Sequence, residues 1–377
     1  MSKLKKVGLK MKSSPHRHTP ALIHLSAIQN NVKKMRQHIG QKSDVYAVVK
    51  ANAYGHGAVA VARSVHELVD GFCVSNLDEA LELRNHLITK PILVLSGIVP
   101  ENADIARSLN ITLTAPSLAW LKIIVSQPTE IKGLKIHIAV DSGMGRIGVC
   151  DVEEANEMIA LADQHGIIFD GIFTHFATAD EKEESKFSAQ KEKFDAIVAH
   201  LSRRPEFVHS TNSAAGLWHQ KEVQDIERLG VAMYGLNPSG NALTLPFELE
   251  PALELKSELT HVKTIHAGDT VGYGATFTAQ EDTIVGTVSI GYADGWTRDM
   301  QGFHVLVDGH FCEIIGRVSM DQMCIKLEKD YEIGTPVTLI GRDGAQEITC
   351  QEIAQWRHTI NYEVLCLLSD RIYRVYQ

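Results

Sequence analysis

Lys50 lies in the run Ala-Val-Val-Lys-Ala-Asn-Ala-Tyr-Gly-His-Gly, residues 47–57, directly after apolar residues with β propensity. A lysine that leaves a buried strand is partly desolvated, which lowers the pKa of its amine and suits it to form a Schiff base with a carbonyl compound. The same position also fits an ordinary solvated lysine at a strand end. The assignment of Lys50 therefore depends on the residues around it.

Four further β-prone runs are each followed by a polar segment. These polar segments are residues 141–146, 174–176, 209–216 and 228–231. The first segment is a glycine-rich turn that ends at Arg146, and the third offers hydroxyls, backbone amides and a helix start for a phosphate. Each feature taken singly is common in structural loops. Together with Lys50 they supply two arginines, two histidines and a phosphate-type loop, which suits an anionic cofactor.

Three tyrosines lie beside glycines or turns in the C-terminal third of the chain, namely Tyr273, Tyr292 and Tyr362. A tyrosine in a strand more often packs in a core or anchors an interface than takes part in catalysis. Residue type alone leaves both interpretations open for each of them.

Several common cofactor motifs are absent from the sequence. It contains neither Gly-x-x-x-x-Gly-Lys nor Gly-x-Gly-x-x-Gly between a strand and a helix, so nucleotide cofactors are disfavoured. The 18 histidines show no clustered ligand spacing, so we expect no protein-bound metal. The 6 cysteines form no Cys-x-x-Cys pair and are expected to be free thiols.

The elements that must position these residues alternate between strand and helix. Eight β-prone runs occur at residues 45–49, 72–74, 92–95, 111–113, 136–140, 171–173, 207–208 and 226–229. Such alternation predicts parallel βαβ units, and eight units predict a (β/α)8 TIM-type barrel. Lys50 would then lie at the C-terminal mouth of the barrel, where barrel enzymes place their active sites. A helix is also predicted from Ser26 onward.

After Pro246 the pattern changes to alternating Thr, Val, Ile and Gly, which predicts a C-terminal, mainly-β domain. Within it we expect a hairpin over 305–315 that turns at Asp308-Gly309, a strand over 333–340 and a short helix over 351–358. The predicted organisation is a basic arm over 1–18, the barrel over 19–246 and the β domain over 247–377.

The composition is that of a soluble globular protein, with 377 residues, 44% hydrophobic and 22% charged. A net charge of −9 argues against nucleic acid as the main partner, because phosphate binding needs a basic face. The basic residues of the arm are not followed by an apolar run of signal-peptide or membrane-span length. We therefore expect a cytoplasmic protein without a membrane partner.

Nine segments, in family order, resemble the alanine racemase family. They are residues 47–57, 141–146, 174–180, 212–216, 228–236, 273–276, 290–296, 320–323 and 359–363. The resemblance covers residues 19–376 and implies a fold-type III pyridoxal 5'-phosphate enzyme. It further implies interconversion of L-alanine and D-alanine, which supplies D-alanine for peptidoglycan, by a head-to-tail homodimer whose active sites combine both subunits.

The resemblance makes Lys50 the Schiff-base lysine and one catalytic base, and makes Tyr273 of the partner subunit the base on the opposite face. Two bases that flank the cofactor plane can remove the α-proton from one side and return a proton to the other. Arg228 matches the arginine that faces the pyridine nitrogen, where a permanently charged guanidinium keeps that nitrogen unprotonated and limits side reactions.

Further positions around the cofactor also match the family. The cofactor-binding set is Lys50, Tyr54, Arg146, His175, Asn212, Ser213, Arg228, Gly230, Val231 and Tyr362. Within this set, Tyr54, Ser213 and Tyr362 match phosphate contacts. The family pattern also has His175 orient the catalytic tyrosine, and His209 steady the arginine at the pyridine nitrogen.

The substrate side of the site is assigned by the same resemblance. Arg146 matches a contact to the cofactor phenolic oxygen and the substrate carboxylate, and Met320 supplies a backbone amide to that carboxylate. Tyr292 matches a narrow gate that favours a small side chain such as that of alanine, and Asp321 is a supporting residue.

One position departs from the family pattern. Many members carry a lysine two residues before Asp141, often carbamylated so that its negative charge braces the arginine here numbered Arg146, whereas this chain has Ala139. A bound anion such as chloride would fill that role in some relatives. A second, small departure is Ser319, where some relatives have Cys.

Three alternative functions remain at this stage. The first is a racemase for serine or for several amino acids, which a substrate panel separates from an alanine racemase. The second is a fold-type III amino acid decarboxylase, which is expected to place an acidic residue where this chain has Arg228. The third is a non-enzymatic pyridoxal phosphate carrier built from the barrel alone, which the β domain and Tyr273 oppose.

Overall fold

A computed structural model describes residues 13–40 and 42–377. The described chain divides into two compact units. The barrel unit comprises residues 25–252, and the β unit comprises residues 13–24 together with Leu253–Gln377. The predicted fold class, a barrel followed by a mainly-β domain, is confirmed. None of the described helices has the length and apolar character that crossing a membrane requires.

The first described strand, β1 (Pro20–Ile23), belongs to the β unit, and the eight strands that follow form the barrel. They are β2 (Asp44–Val48), β3 (Gly71–Val74), β4 (Ile92–Val94), β5 (Thr112–Ala115), β6 (Lys135–Ala139), β7 (Ile168–Phe173), β8 (Phe207–His209) and β9 (Ile226–Leu229). Their order in the sheet is β8-β7-β6-β5-β4-β3-β2-β9, and all pairs are parallel. A parallel bridge between Asn212 and Arg228 joins the two outer strands. All eight predicted strands are thus confirmed.

Helices complete the barrel unit, together with a short segment over residues 50–54 that has left-handed φ and ψ at residues 51–53. They are α1 (Leu25–Ile39), α2 (Lys50–Tyr54), α3 (Ala58–Val65), α4 (Leu77–Asn85), α5 (Ala103–Ser108), α6 (Leu118–Ser126), α7 (Val152–Gln164), α8 (Ser185–Ala199) and α9 (Ser213–Trp218). The predicted helix from Ser26 is confirmed as α1, whose Ile28, Val32 and Met35 are buried. Side chains of Asn76, Ser117, Asp151 and Asn212 cap α4, α6, α7 and α9 by accepting a backbone N–H in the first turn.

The β unit is built from mostly antiparallel strands. They are β10 (Leu253–Ile265), β11 (Thr270–Val271), β12 (Phe277–Thr278), β13 (Thr283–Val288), β14 (His304–Val307), β15 (His310–Ile315), β16 (Met323–Leu327), β17 (Pro336–Asp343), β18 (Gln346–Ile348) and β19 (Tyr373–Tyr376), with helices α10 (Cys350–Trp356) and α11 (Asn361–Cys366). The large sheet has the order β18-β17-β14-β15-β16-β13-β10-β1-β19. Only the pairing of β1 with β19 is parallel among its described neighbours.

Local predictions for the β unit are confirmed with small shifts. The hairpin β14–β15 turns at Asp308 and Gly309, which have φ of 53° and 76° as its tight turn requires. The strand predicted over 333–340 begins only at Pro336, because residues 332–335 form a turn with Gly334 at φ 92°. The predicted helix over 351–358 is α10, which is stopped before His358 by its left-handed φ of 53°.

The unit boundaries differ from the predicted barrel of 19–246 and β domain of 247–377. Residues 20–23 form β1, which pairs with β10 and β19 and is therefore part of the β unit. Residues 247–252 stay with the barrel unit, where Asn31 donates to the Glu250 carbonyl and Lys34 pairs with the Glu250 carboxylate. Of the predicted arm, residues 1–12 lie outside the described residues.

Candidate active site

Lys50 follows β2 and enters a left-handed turn. Ala51, Asn52, Ala53 and Tyr54 all have φ between 52° and 55°. L-residues in this conformation cost roughly 1–2 kcal/mol each because Cβ crowds the next carbonyl. A run of four such residues persists only when its surroundings hold it, and strain of this kind clusters at functional sites.

Hydrogen bonds hold the left-handed turn at both ends. The Ala51 N–H donates to Oε1 of Glu79 at 2.8 Å, and the other oxygen of this carboxylate accepts from the Ser75 N–H at 2.6 Å. At the far end, Oδ1 of Asn52 accepts from the Ala58 N–H at 2.9 Å. The Glu79 carboxylate therefore ties the residue after Lys50 to the end of β3. Sequence reasoning did not single out Glu79.

Tyr54, Ser213 and Gly230 form a cradle at the end of β9. A Cβ added to Gly230 would lie 3.0 Å from the Tyr54 hydroxyl oxygen and 3.6 Å from Oγ of Ser213. The Ser213 hydroxyl accepts from the Gly230 N–H at 2.8 Å. Glycine therefore leaves open a space that hydroxyls and backbone amides surround, and this donor set suits a phosphate.

Arg228 is a buried cation with fixed partners. Its Nη1 donates to Nδ1 of His209 at 2.6 Å, and its Nη2 donates to the carbonyls of Thr174 at 2.8 Å and Ser210 at 3.0 Å. The guanidinium also lies 5.5 Å from the ring centroid of Phe173. Burial lowers the pKa of Arg228 to about 10, so it stays charged at neutral pH.

His175 lies among the cations of the site. Desolvation of its ring, and then the charges of Arg228, Arg146 and Lys50, hold the pKa of His175 well below its usual value. The ring is therefore neutral at physiological pH, and Nδ1 lies 3.4 Å from Nη2 of Arg228. Lys50 follows β2, Arg146 lies in the segment after β6, and Arg228 is near the end of β9, so the three cations lie at the same mouth of the barrel.

Arg146 ends a turn that is organised by Asp141. The two carboxylate oxygens of Asp141 accept the N–H groups of Gly143 and Gly145 at 3.0 and 2.9 Å, and of Arg146 at 3.1 Å. Desolvation opposes ionisation, but these backbone hydrogen bonds outweigh it and lower the pKa of Asp141. Ala139 is buried at the end of β6, so a lysine side chain there would require room.

Tyr273 lies on a tight loop of the β unit between β11 and β12. Gly272, Gly274 and Ala275 have φ of 75°, 77° and 47°, and a Cβ on Gly274 would meet Nη1 of Arg317 at 2.8 Å. This geometry presents the Tyr273 side chain to solvent, with 72% of the residue exposed. An aromatic side chain held out in this way is typical of a residue that completes an interface.

Tyr292 and Met320 lie on two loops that are bonded to each other. The Tyr292 N–H donates to the Ser319 carbonyl, and the Ala293 N–H donates to the Met320 carbonyl, both at 3.0 Å. Tyr292 and Met320 are 41% and 52% exposed. The two loops therefore present their side chains together on one side of the β unit.

A buried carboxylate supports these loops. Asp294 is fully buried and accepts two hydrogen bonds from Arg17 at 2.7 and 2.8 Å, and it also accepts the Gly291 N–H at 2.9 Å. Arg17 further donates to the carbonyl of Asp321 at 2.7 Å. Sequence reasoning placed Arg17 in the basic arm and gave no role to Asp294, although Asp294 lies inside one of the nine motif segments.

The structure distributes the predicted site residues between the two units. The barrel unit holds Lys50, Tyr54, Arg146, His175, His209, Asn212, Ser213, Arg228, Gly230 and Val231 at the C-terminal ends of its strands. The β unit holds Tyr273, Tyr292, Met320, Asp321 and Tyr362, the last in α11. The arrangement in the barrel can bind an anionic group and hold a lysine amine beside a buried guanidinium.

Family models match both units of the chain. The model described as alanine racemase, N-terminal domain, matches residues 23–238, and the model described as alanine racemase, C-terminal domain, matches residues 252–376. An alanine racemase from Lactococcus lactis subsp. cremoris (strain SK11) is 67% identical over 367 residues, which is 97% of this chain and all of that protein.

Solved structures agree with these matches. An alanine racemase from E. faecalis superposes with a TM-score of 0.95 at 45% identity, covering 97% of this chain and all of that one. A histidine racemase from Leuconostoc mesenteroides subsp. sake superposes with a TM-score of 0.92 at 33% identity, with coverage of 97% and 100%. The chain therefore belongs to the alanine racemase family and is an isomerase.

Proposed function

We propose that the chain is a pyridoxal 5'-phosphate-dependent racemase that interconverts L-alanine and D-alanine, with Lys50 and Tyr273 of the partner subunit as opposed bases. The observation that carries the proposal is the position of Lys50, Arg146 and Arg228 at or after the C-terminal ends of barrel strands, beside the cradle of Tyr54, Ser213 and Gly230. This is a cationic mouth with a phosphate-type pocket and one lysine amine.

The residues present fit the cofactor. Tyr54, Ser213 and Tyr362 would hold its phosphate, with Asn212, Gly230 and Val231 beside them. Lys50 would hold the cofactor through its amine, and Arg228 would face the pyridine nitrogen. When bound, the cofactor supplies an electron-accepting ring that acidifies the α-hydrogen of an attached amino acid.

The protein groups then have separate tasks in moving the α-proton. Lys50 would take or give the proton on one face, and the phenolic oxygen of the partner subunit's Tyr273 would do so on the other. His175 would orient that tyrosine through a hydrogen bond. Because Nη2 of Arg228 can only donate to Nδ1 of His175, a neutral His175 carries its proton on Nε2 and would donate it to the phenolic oxygen.

Arg228 would limit side reactions of the cofactor. A guanidinium that stays charged at neutral pH has no acceptor atom, so it can only donate to the pyridine nitrogen, which therefore stays unprotonated. This is the observation that opposes a decarboxylase, for which an acidic residue is expected at that position. The restraint would favour return of the proton over side reactions.

The substrate carboxylate would be bound by Arg146 and the backbone amide of Met320. Tyr292 would narrow the space beside the α-carbon so that only a methyl group fits well. Because Tyr273, Tyr292 and Met320 are exposed on the β unit, we propose a homodimer in which this surface faces the barrel mouth of the partner. We further propose that the enzyme acts in the cytoplasm and supplies D-alanine for peptidoglycan.

Conversion of L-alanine to D-alanine by the purified holoenzyme tests the proposal, with L-serine and L-histidine assayed in parallel. We expect the kcat/KM for alanine to exceed the other two by at least about tenfold, because a gate built for a methyl group discriminates against larger side chains by roughly 1–3 kcal/mol. Absence of alanine turnover in protein that carries its cofactor would refute it.

A broader substrate range is the second candidate. Two observations favour it, namely the similarity to a histidine racemase at a TM-score of 0.92 and the replacement of the family lysine by Ala139. Comparable kcat/KM values for alanine and histidine in the same assay would select this alternative.

A further inference from the structure

The contacts of Arg228 continue through the barrel interior beyond His209. Nε2 of His209 lies 2.9 Å from Nδ1 of His137, and Nε2 of His137 lies 3.6 Å from Oδ2 of Asp170. The three strands β6, β7 and β8 supply these residues. A continuous line of polar groups thus leads from the Asp170 carboxylate to the guanidinium at the mouth.

If both histidines are neutral, only one pair of tautomers of His209 and His137 gives each of these contacts one donor and one acceptor. The guanidinium can only donate, so Nδ1 of His209 must accept, and a neutral His209 then carries its proton on Nε2. That N–H donates to Nδ1 of His137, so a neutral His137 also carries its proton on Nε2. This N–H points toward the Asp170 carboxylate at a separation longer than a direct hydrogen bond, so the contact is an attraction between the N–H dipole and the negative charge.

Burial keeps both histidines neutral. Desolvation, followed by the nearby charge of Arg228, holds the pKa of His209 well below its usual value. Desolvation also lowers the pKa of His137, although Asp170 opposes the shift. The Asp170 carboxylate remains ionised, because its contacts with His137 and Lys135 outweigh desolvation and lower its pKa. Lys135 is its second partner, at 3.2 Å.

The backbone is shaped to make this contact. β7 has a register shift against β6 in which Ile136 pairs with Phe169 and His137 with Gly171, which leaves Asp170 as the extra residue of a β-bulge. A bulge re-aims a side chain that regular pleating would send to the other face. The Gly171 backbone packs directly against the His137 ring, since a Cβ there would lie only 2.6–2.7 Å from three ring atoms.

We propose that Asp170, acting through His137 and His209, is a positioning residue for Arg228. Its carboxylate favours the imidazole tautomers that leave Nδ1 of His209 as a bare acceptor, and this acceptor fixes the guanidinium. The inference rests on the proposed function in one respect, namely that Arg228 faces the pyridine nitrogen. The line itself is independent of that assignment.

The first test measures the tautomers of the histidines. The holoenzyme is labelled with ¹⁵N-histidine, and long-range ¹H–¹⁵N spectra distinguish protonation at Nε2 from protonation at Nδ1. The signals of His137 and His209 are assigned by their loss in His137→Phe and His209→Phe. We expect both rings to be neutral with the proton on Nε2 in the unmodified protein.

Asp170→Asn is the decisive variant. Its carboxamide is uncharged and can donate or accept, so it removes the bias toward Nε2–H on His137. We expect the ratio of the two His209 tautomers to shift by about tenfold, the change that loss of a contact to a charged group produces. Asp170→Glu should restore the original spectrum in part. Lys135→Met is the matched control, because it removes the other partner of Asp170 and leaves the histidine line intact.

A second readout uses the loaded enzyme. If the guanidinium is less well fixed, amination of the cofactor with release of pyruvate should rise relative to racemisation, also by about tenfold. His137→Phe should have the same effect, because it keeps the ring packing over Gly171 but offers no acceptor to His209. This variant keeps the proposal testable if Asp170→Asn fails to fold.

The outcomes separate this proposal from the proposed function. If His209 carries its proton on Nδ1, or if Asp170→Asn lowers the melting temperature with no change in the His209 tautomer ratio, Asp170 is merely structural and the proposal is overturned. A protein that does not racemise alanine but shows the expected tautomer shift would refute the proposed function alone.

Discussion

At the scale of single residues, burial shifts the pKa values of ionisable groups in the barrel away from their values in water. Desolvation and nearby cations lower the pKa of His175 well below its usual value, whereas the pKa of Arg228 falls only to about 10. A charged Arg228 can therefore lie beside a neutral His175. Tyr273 is not buried in this way, because 72% of the residue is exposed on the β unit. Its proposed role as a base therefore depends on groups that the isolated β unit does not supply.

Tyr273→Phe tests that role. The substitution keeps the aromatic ring and removes the hydroxyl, so we expect the cofactor absorbance to persist while kcat for alanine falls roughly 10²–10⁴-fold, as for loss of a general base. Tyr331→Phe, in the same unit but outside the site, is the control and should keep normal turnover. Near-normal racemisation by Tyr273→Phe would exclude the two-base assignment.

Glu227 is a buried acid that the proposed mechanism does not use. Its side chain lies on the outer face of β9, near Met35 of α1 and Gly216 of α9. Burial raises the pKa of Glu227 to about 8, although Thr211 and Arg228 oppose the shift. The folded protein therefore holds a neutral carboxyl at neutral pH.

This state makes stability depend on pH. Because the folded pKa lies above the unfolded one, the contribution of Glu227 is fully present below about pH 4.5 and is lost as the pH rises to about 8. Glu227→Gln should remove this slope, so its free energy of unfolding should exceed that of the parent by a few kcal/mol at pH 8. Urea unfolding at several pH values and one protein concentration measures it.

The exposed substitution Glu157→Gln is the control for this series and should leave the pH slope unchanged. If Glu227→Gln and the parent protein lose stability in parallel between pH 5 and 8, the carboxyl of Glu227 is already ionised in the folded state.

At the scale of elements, the strands were predictable and two backbone irregularities were not. The eight barrel strands are short runs of β-branched and apolar residues, and this local pattern is readable without the fold. The bulge at Asp170 and the left-handed turn over residues 51–54 have no local signal, because each is imposed by tertiary contacts such as those of His137 and Glu79. Because these contacts are tertiary, the sequence analysis did not identify Asp170, His137 or Glu79.

The order of the motifs supported assignments that single residues left ambiguous. Lys50 alone fitted an ordinary strand end, and Arg228 alone fitted a structural cation. The structure places both at strand ends of one barrel, with Arg146 near them. Arg17 and Asp294 were missed because their contact joins positions 277 residues apart, which no local pattern reports.

Replacing Ala51 with glycine should stabilise the left-handed turn after Lys50. Ala51 is exposed with φ 52° and ψ 49°, and glycine there avoids the Cβ clash while losing backbone entropy. We expect Ala51→Gly to raise the free energy of unfolding by about 0.5–1 kcal/mol, measured by urea unfolding. Ala160→Gly, at an exposed position of the right-handed helix α7, should lower it by about 1 kcal/mol. Equal losses in both variants would show that residue 51 is not strained in solution.

At the scale of the whole molecule, the barrel unit and the β unit hold complementary halves of the proposed site. Lys50 and Arg228 belong to the first, and Tyr273 belongs to the second. In the proposed homodimer each active site takes its barrel half from one subunit and its β half from the other. Two variants that are each inactive can then complement one another when mixed.

Mixing Lys50→Ala with Tyr273→Phe after reversible dissociation tests this division. Each hybrid dimer has one site with both defects and one site with none, so an equal mixture should recover about one quarter of the parent activity, since half of randomly formed dimers are hybrids. Lys50→Ala mixed with Arg228→Ala is the control and should recover none, because both defects lie in the barrel unit and every site keeps one. Failure of the first mixture to recover activity, with hybrids shown to form by mass, would mean that each site is completed within a single subunit.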